Sequence, residues 1–241
     1  MLFRQLFDHE SSTYTYLLAD EDTHEALLID PVLEQVDRDL GIVSQLGLTL
    51  VTVLDTHVHA DHITAASALR DRTGARTVAG RAGAPCADRL VDPGDLVTVG
   101  TLALRVLPTP GHTDDSVSYL LVDPRDHGRP GDRVFTGDAL LIRAAGRTDF
   151  QNGDAGTLYD SITQQLFTLP DGTLVYPAHD YLGRTVTTVA EERRWNVRIA
   201  GKSRDEFVRV MNALNLPVPA RIDEAVPANR SCGRAPAPVQ G

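Results

Sequence analysis

The tightest constraint on this chain is local: the apolar run 48–54 passes straight into His57-Val58-His59-Ala60-Asp61-His62. Three imidazoles and a carboxylate at the end of a predicted buried strand suit a first-row divalent metal, because imidazole nitrogen and carboxylate oxygen both coordinate such ions. Only eight histidines occur in 241 residues, so three within one hexapeptide mark a site more readily than a solvated surface. Any fold that uses them must bring this strand end together with further donors.

Three other segments repeat the design, an apolar strand ending in a donor inside a Gly/Pro loop. Residues 102–107 lead to Pro108-Thr109-Pro110-Gly111-His112, residues 134–136 to Gly137-Asp138, and residues 174–176 to Pro177-Ala178-His179-Asp180. Singly, each reads as an ordinary turn. In order on one chain, they read as ligands converging from strand ends, the usual place for sites in open α/β sheets.

The pattern around them supports this. Residues 2–7, 13–18 and 26–29 read as strands, 32–46 as a helix closed by Gly47, and the stretch from Asp61 to Gly74 as a helix carrying the His motif at its start. Strands are predicted at 76–78, 95–99, 101–107, 116–122 and 133–135, with Val99-Gly100-Thr101 as a hairpin, then a helix at 157–167 and a strand at 173–176. Helices are expected at 186–199 and 204–214, with irregular chain from Pro217 onward. Strands followed by helices, in two halves, imply two sheets face to face with helices outside, in one domain.

Composition narrows the function. The net charge of −10 excludes a general nucleic-acid binder, which needs basic stripes to displace counterions. No apolar run approaches the ~18 residues of a membrane span, and residues 1–8 already read as a strand, so a soluble cytoplasmic protein is expected. The two cysteines, Cys86 and Cys232, are too few and too far apart for a disulfide framework or a thiolate zinc site, so both are expected as thiols in a reducing compartment. His9, His24 and His127 sit among charged or turn residues and read as solvated, and 191–194 reads as a solvated helix face with local ion pairs.

Thr56-His57-Val58-His59-Ala60-Asp61-His62, followed by Gly111-His112, Asp138 and His179, resembles the ligand series of the metallo-β-lactamase superfamily. The resemblance implies an α/β fold, an αββα sandwich with its metal site at one edge between the sheets. Finer motifs resemble the persulfide dioxygenases: Gly137-Asp138 through Arg143, Gly146-Arg147-Thr148-Asp149-Phe150-Gln151, Tyr176 through Tyr181, and Val226-Pro227-Ala228-Asn229 with Cys232-Gly233. This match spans residues 1–233, leaving 234–241 as an irregular tail.

That resemblance implies one Fe(II) per chain, held by His57, His112 and Asp138. A facial two-His, one-carboxylate set leaves positions open for a substrate sulfur and dioxygen together. The expected reaction oxidises the terminal sulfur of glutathione persulfide, or a similar small persulfide, to sulfite and releases the thiol. His59, Asp61, His62 and His179 would support the ligands or be remnants of a two-metal site. Arg147, Asp149, Tyr181 and, more weakly, Arg230 are the candidates to hold the thiol carrier, since a planar guanidinium can bond both oxygens of a carboxylate. Family resemblance also suggests a homodimer. The competing reading is a glyoxalase II-type thioester hydrolase with a dinuclear site, although that family adds a C-terminal helical domain with basic residues, and this chain has one lysine, Lys202.

Overall fold

Alternation of side chains along each strand sorts the apolar residues into two faces, and that sorting builds the molecule. In the computed structural model, which describes residues 1–123 and 129–234, the first sheet runs in the order β1 (Leu2–Asp8), β2 (Thr13–Ala19), β3 (Glu25–Ile29), β4 (Thr49–Leu54), β5 (Arg76–Gly80) and β6 (Arg89–Val91). On β2, Tyr14, Tyr16 and Leu18 point toward the second sheet, while Leu17 and Ala19 pack with α1 (Val36–Gln45) and α2 (Ala66–Thr73). The first three strands are antiparallel; β3 to β6 are parallel, with α1 joining β3 to β4, α2 joining β4 to β5, and a loop joining β5 to β6.

The second sheet consists of β7 (Leu96–Val99), β8 (Leu102–Pro108), β9 (Val117–Asp123), β10 (Arg129–Gly137), β11 (Leu174–Pro177) and β12 (Thr187–Thr188). Leu104, Val106, Tyr119, Phe135 and Tyr176 from this sheet meet Tyr16, Leu27, Leu54 and Val78 of the first in the central core. Its outer face carries Leu120, Val122, Val134 and Val175 against Leu158, Val189, Phe207 and Met211 from α3 (Ala155–Ser161), α4 (Val189–Trp195) and α5 (Arg204–Asn212). The result is the expected αββα sandwich. The predicted hairpin is present, with Val99 paired to Leu102 and Gly100 at φ +55°.

Four local expectations change. The helix expected from Asp61 begins only at Ala66, because Thr64 bonds the Asp55 carboxylate and the Asn229 side chain instead of starting a turn. The helix expected at 186–199 is divided: Thr187–Thr188 pair with Leu174–Val175, and the Thr188 side chain then caps α4 by accepting from Glu191 N–H. The segment beyond Pro217, expected to be irregular, contains α6 (Ile222–Asn229), which includes Pro227 and is held by Ala225 and Ala228 packing on Ile63. Finally, Cys86 and Cys232 are not thiols but a disulfide, with Cα atoms 5.9 Å apart across 146 residues of sequence. With that pairing, cysteine usage no longer argues for a reducing compartment. His127 and residues 235–241 lie outside the described residues. No helix among the described residues is long and apolar enough to cross a membrane.

Candidate metal centre

The C-terminal ends of β4, β8, β10 and β11 open at the same edge of the sandwich, and backbone bonds between loops lock them there. Val117 N–H donates to Thr56 C=O at 2.9 Å, Ala178 N–H to Gly137 C=O at 2.9 Å, and Tyr14 N–H to Ala178 C=O at 2.7 Å. Two glycines permit the close approach. Gly137 sits at φ +53° with a Cβ position 2.6 Å from Thr56 Oγ1, and at Gly146 a Cβ would stand 2.1 Å from Asp138 C=O and 3.0 Å from the His112 ring.

His57, His112 and Asp138 each offer one donor atom within a 4.8 Å cluster. Their other atoms are held by hydrogen bonds that settle which atom is free. Thr56 Oγ1 donates to Asp30 Oδ2 at 2.9 Å and so accepts from His57 Nδ1 at 3.0 Å, leaving the Nε2 lone pair. His112 Nδ1 donates to Arg147 C=O at 2.7 Å, leaving Nε2, 3.6 Å from Asp138 Oδ2. Asp138 Oδ1 accepts from His179 Nδ1 at 2.7 Å, so Oδ2 remains. Such outer partners orient metal ligands, and the acceptors on the two imidazole N–H groups also raise the basicity of those rings. Burial, with His59 and His112 nearby, pushes the His57 pKa well down, which keeps it neutral. Burial raises Asp138, but the adjacent His179, His112 and His57 overcome it and hold the group ionised. Two neutral imidazoles and a carboxylate, each with one free and one fixed atom, fit a divalent metal.

The neighbouring donors are differently engaged. His59 Nε2 bonds Asp30 Oδ1 at 3.2 Å, and His59 groups with Asp61 and His62, or with Asp30 and Asp55. Asp61 Oδ2 accepts from His62 Nδ1 and from His179 Nε2, both at 2.9 Å. His179 is thus clasped between two carboxylates through both nitrogens; burial lowers its pKa, yet Asp138 and Asp61 raise it well above the ordinary value. A doubly protonated ring has no lone pair for a metal. Thr13 Oγ1 completes this cluster, 3.2 Å from Asp61, 3.3 Å from His62 Nδ1 and 3.1 Å from His179 Nε2.

The 57–62 loop is fastened by residues far away in sequence. Val58 N–H donates to Asp115 Oδ2 at 2.8 Å, Gln151 Nε2 donates to Val58 C=O at 2.7 Å, and Asn229 Nδ2 donates to the carbonyls of His59 and His62 at 2.9 and 2.8 Å. Asp30, Asp115 and Thr13 carry no sequence signal of this role, since ordinary Asp and Thr occur throughout the chain; Gln151 and Asn229 fall inside motifs noted above.

A cavity of about 810 Å³ opens onto the site, lined by His112, Asp138, His62 and His179. Nearly buried His57 does not line it. Arg147 and Tyr181 do. Arg147 is forked onto Asp149 at 2.7 and 2.8 Å, bonds Pro217 C=O at 2.6 Å and stacks over Phe150. Tyr181 lies parallel to the His179 ring and is 72% exposed, so it is not a core residue. Asp149 reaches the cavity only through Arg147. Arg230 is not brought there: it ends α6 beside the disulfide, outside the cavity lining.

A two-sheet sandwich with this donor set at its edge defines a protein of the metallo-β-lactamase fold, and the family model for the metallo-beta-lactamase superfamily matches residues 10–85 and 87–179. Persulfide dioxygenase ETHE1, mitochondrial, of Bos taurus is 50% identical over 97% of this chain and 89% of its own length, and the Homo sapiens protein is 49% identical over the same shares. The crystal structure of ETHE1 from Myxococcus xanthus superposes with a TM-score of 0.93 at 66% identity, covering 97% of this chain and all of that one. The chain belongs to the persulfide dioxygenase family of enzymes within that superfamily.

Proposed function

We propose that this enzyme is a mononuclear non-haem iron persulfide dioxygenase acting on glutathione persulfide or a similar small persulfide. The overall conversion takes a persulfide, one dioxygen and one water to the thiol, sulfite and two protons. The observation that carries the reading is the contrast in free atoms: His57 Nε2, His112 Nε2 and Asp138 Oδ2 are ready as ligands, whereas His179 is committed at both nitrogens. Ferrous iron held by these three residues would offer open positions for the sulfur and dioxygen together and a path for the four electrons that the persulfide gives up to dioxygen.

The chain's own groups do the remaining work. Thr56 and Arg147 C=O orient the two imidazoles, and the His179 cation steadies Asp138. Leu141, Ile142, Phe150 and Leu216 in the cavity wall limit water around the reacting sulfur. Arg147, through its pairing with Asp149, shapes the wall that receives the thiol carrier, and exposed Tyr181 caps the His179 side.

One observation favours a competing reading. His59 Nδ1 and His62 Nε2 are buried without partners, as a second metal would require, and a dinuclear centre would suit thioester hydrolysis. Metal analysis with oxygen uptake separates the two. We expect about one iron per chain and oxygen consumption with sulfite formation from glutathione persulfide. Two zinc ions per chain, thioester cleavage and no oxygen uptake would overturn the proposal.

A further inference from the structure

The disulfide lies outside the candidate metal centre, yet it closes on the segment that carries the His motif. Cys86 is half-buried in the turn-rich loop between β5 and β6, whereas Cys232, just beyond α6, is 2% exposed. One sulfur can therefore be reached from solvent and the other cannot. Cys232 also holds φ +57°, a left-handed conformation that costs energy for a residue with a Cβ. Disulfides that are exposed or strained are the ones that exchange with small thiols.

The helix tied down by this pairing has a small anchorage of its own. Its apolar contacts are Ala225 and Ala228 on Ile63, with Leu33 beside them, and Pro227 removes one of its backbone donors. At its start Arg221 pairs with partly exposed Glu34, an ion pair of the kind that solvent weakens. At its end buried Asn229 grips the His loop at three points: Oδ1 accepts from Thr64 N–H at 2.8 Å, and Nδ2 donates to the carbonyls of His59 and His62. Cys232 C=O accepts from Ser67 N–H at 2.9 Å, and Gly233 lies so close to Thr64 that a Cβ would stand 2.1 Å from its carbonyl oxygen. The same loop carries Asp61, which holds His179, and His179 in turn holds Asp138. A continuous run of contacts thus leads from the disulfide through Asn229, Asp61 and His179 to Asp138.

We propose that the Cys86–Cys232 disulfide is a thiol-exchangeable latch on the His loop: closed, it keeps Asn229 seated; opened by a small thiol, it frees the end of α6 and slows turnover while iron is retained. A small thiolate attacks Cys86 Sγ, the S–S bond breaks, and the electron pair leaves on Cys232 Sγ, which takes up a proton. A second thiolate then attacks the sulfur contributed by the first, so that one protein disulfide and two thiols become two protein thiols and one small disulfide. Both exchanges are reversible, and the latch follows the ratio of thiol to disulfide around it. What is turned over rests on the persulfide reading above; under it, the released carrier thiol is itself an opener, and product restrains the enzyme.

The test equilibrates the iron-loaded protein with graded ratios of glutathione to glutathione disulfide without air, desalts it, and compares it with Cys86→Ser. Alkylation and mass spectrometry should find both cysteines free at high ratios. Oxygen uptake with glutathione persulfide should fall roughly 10-fold in kcat in the opened protein and in Cys86→Ser, an effect of the size seen for outer partners of metal ligands, with KM and iron content little changed. Glutathione disulfide should restore the wild type and not the variant. Hydrogen exchange is the arm independent of turnover: amides of 59–64 and 222–233 should exchange faster on opening, and those of β8 should not. Cysteines that stay paired at every ratio, unchanged exchange at 59–64, or equal kcat in both states would overturn the latch. Loss of native circular dichroism on opening would make the disulfide a staple of the whole fold and overturn it as well. No oxygen uptake by the closed, iron-loaded protein would instead overturn the persulfide reading, and the exchange arm would then decide the latch.

Discussion

Two groups of donors stand side by side at the sandwich edge, and they differ in what their atoms already do. In His57, His112 and Asp138, one atom of each is held by a neighbour and the other is free in a common 4.8 Å cluster. In Asp61, His62 and His179, the donors bond one another: a single Asp61 oxygen joins both imidazoles, and His179 also grips Asp138. Residue type does not separate the groups, since both contain histidine and aspartate. Hydrogen bonding sets His179 apart, since both of its nitrogens are held, whereas His62 keeps Nε2 without a partner and differs from the first group only in sharing its carboxylate with His179.

The sharpest way to break that comparison is Asp138→Ala. Loss of a direct ligand should reduce bound iron to background and abolish persulfide-dependent oxygen uptake, while circular dichroism stays native-like because the residue sits at the sheet edge. Iron retained at the wild-type level would remove Asp138 from the ligand set.

His179→Ala should do less. It removes the donor to Asp138 Oδ1 without removing a ligand, so metal affinity is expected to fall by roughly 10- to 100-fold, as for other outer partners of metal ligands. Competition with a chelator measures this. A loss as complete as that of Asp138→Ala would place His179 in the ligand set and favour a dinuclear centre.

The disulfide sharpens the comparison from outside. It ties the 86 region to the end of α6, and α6 carries Asn229, whose bonds reach the carbonyls of His59 and His62 but not the residues of the first group. Cys86→Ser should therefore cost about 2–4 kcal/mol in denaturant unfolding while iron remains near the wild-type content. Iron lost in proportion to stability would show that the two groups are not separable.

The smallest effect lies away from both groups. Burial raises the Asp39 pKa from 3.8 to about 6, against the opposing pull of Arg38. Because the folded state holds this proton more tightly than the unfolded chain, the contribution is complete below about 3.8 and is lost as pH rises through about 6. Asp39→Asn should consequently stabilise the protein by about 1–3 kcal/mol at pH 8 and by nothing at pH 3. A variant equally or less stable than wild type at pH 8 would refute the assignment.

The donors themselves were legible in the sequence because their signals are local. Each follows an apolar strand, and a strand end with a Gly/Pro turn presents its next polar residue at the sheet edge. The sandwich was equally readable, since period-two alternation in residues 13–19 or 102–107 already states which side chains face the other sheet. By contrast, the helical pattern at 186–199 concealed β12, because pairing with Leu174–Val175 depends on a strand elsewhere in the chain. Pro227 concealed α6, whose stability comes from Ile63.

By itself, then, the sequence determined the metal chemistry available, the layered fold and the order in which donors reach the edge, because each is written in residue types and periods a few positions long. Only the tertiary structure decided which nitrogen of each histidine is free, that Cys86 meets Cys232, and that Asn229 fastens the His loop. The disulfide, the Asn229 bonds and the hold on His112 join residues tens to well over a hundred positions apart, and burial gives such contacts their force by removing the water that would otherwise satisfy the same groups.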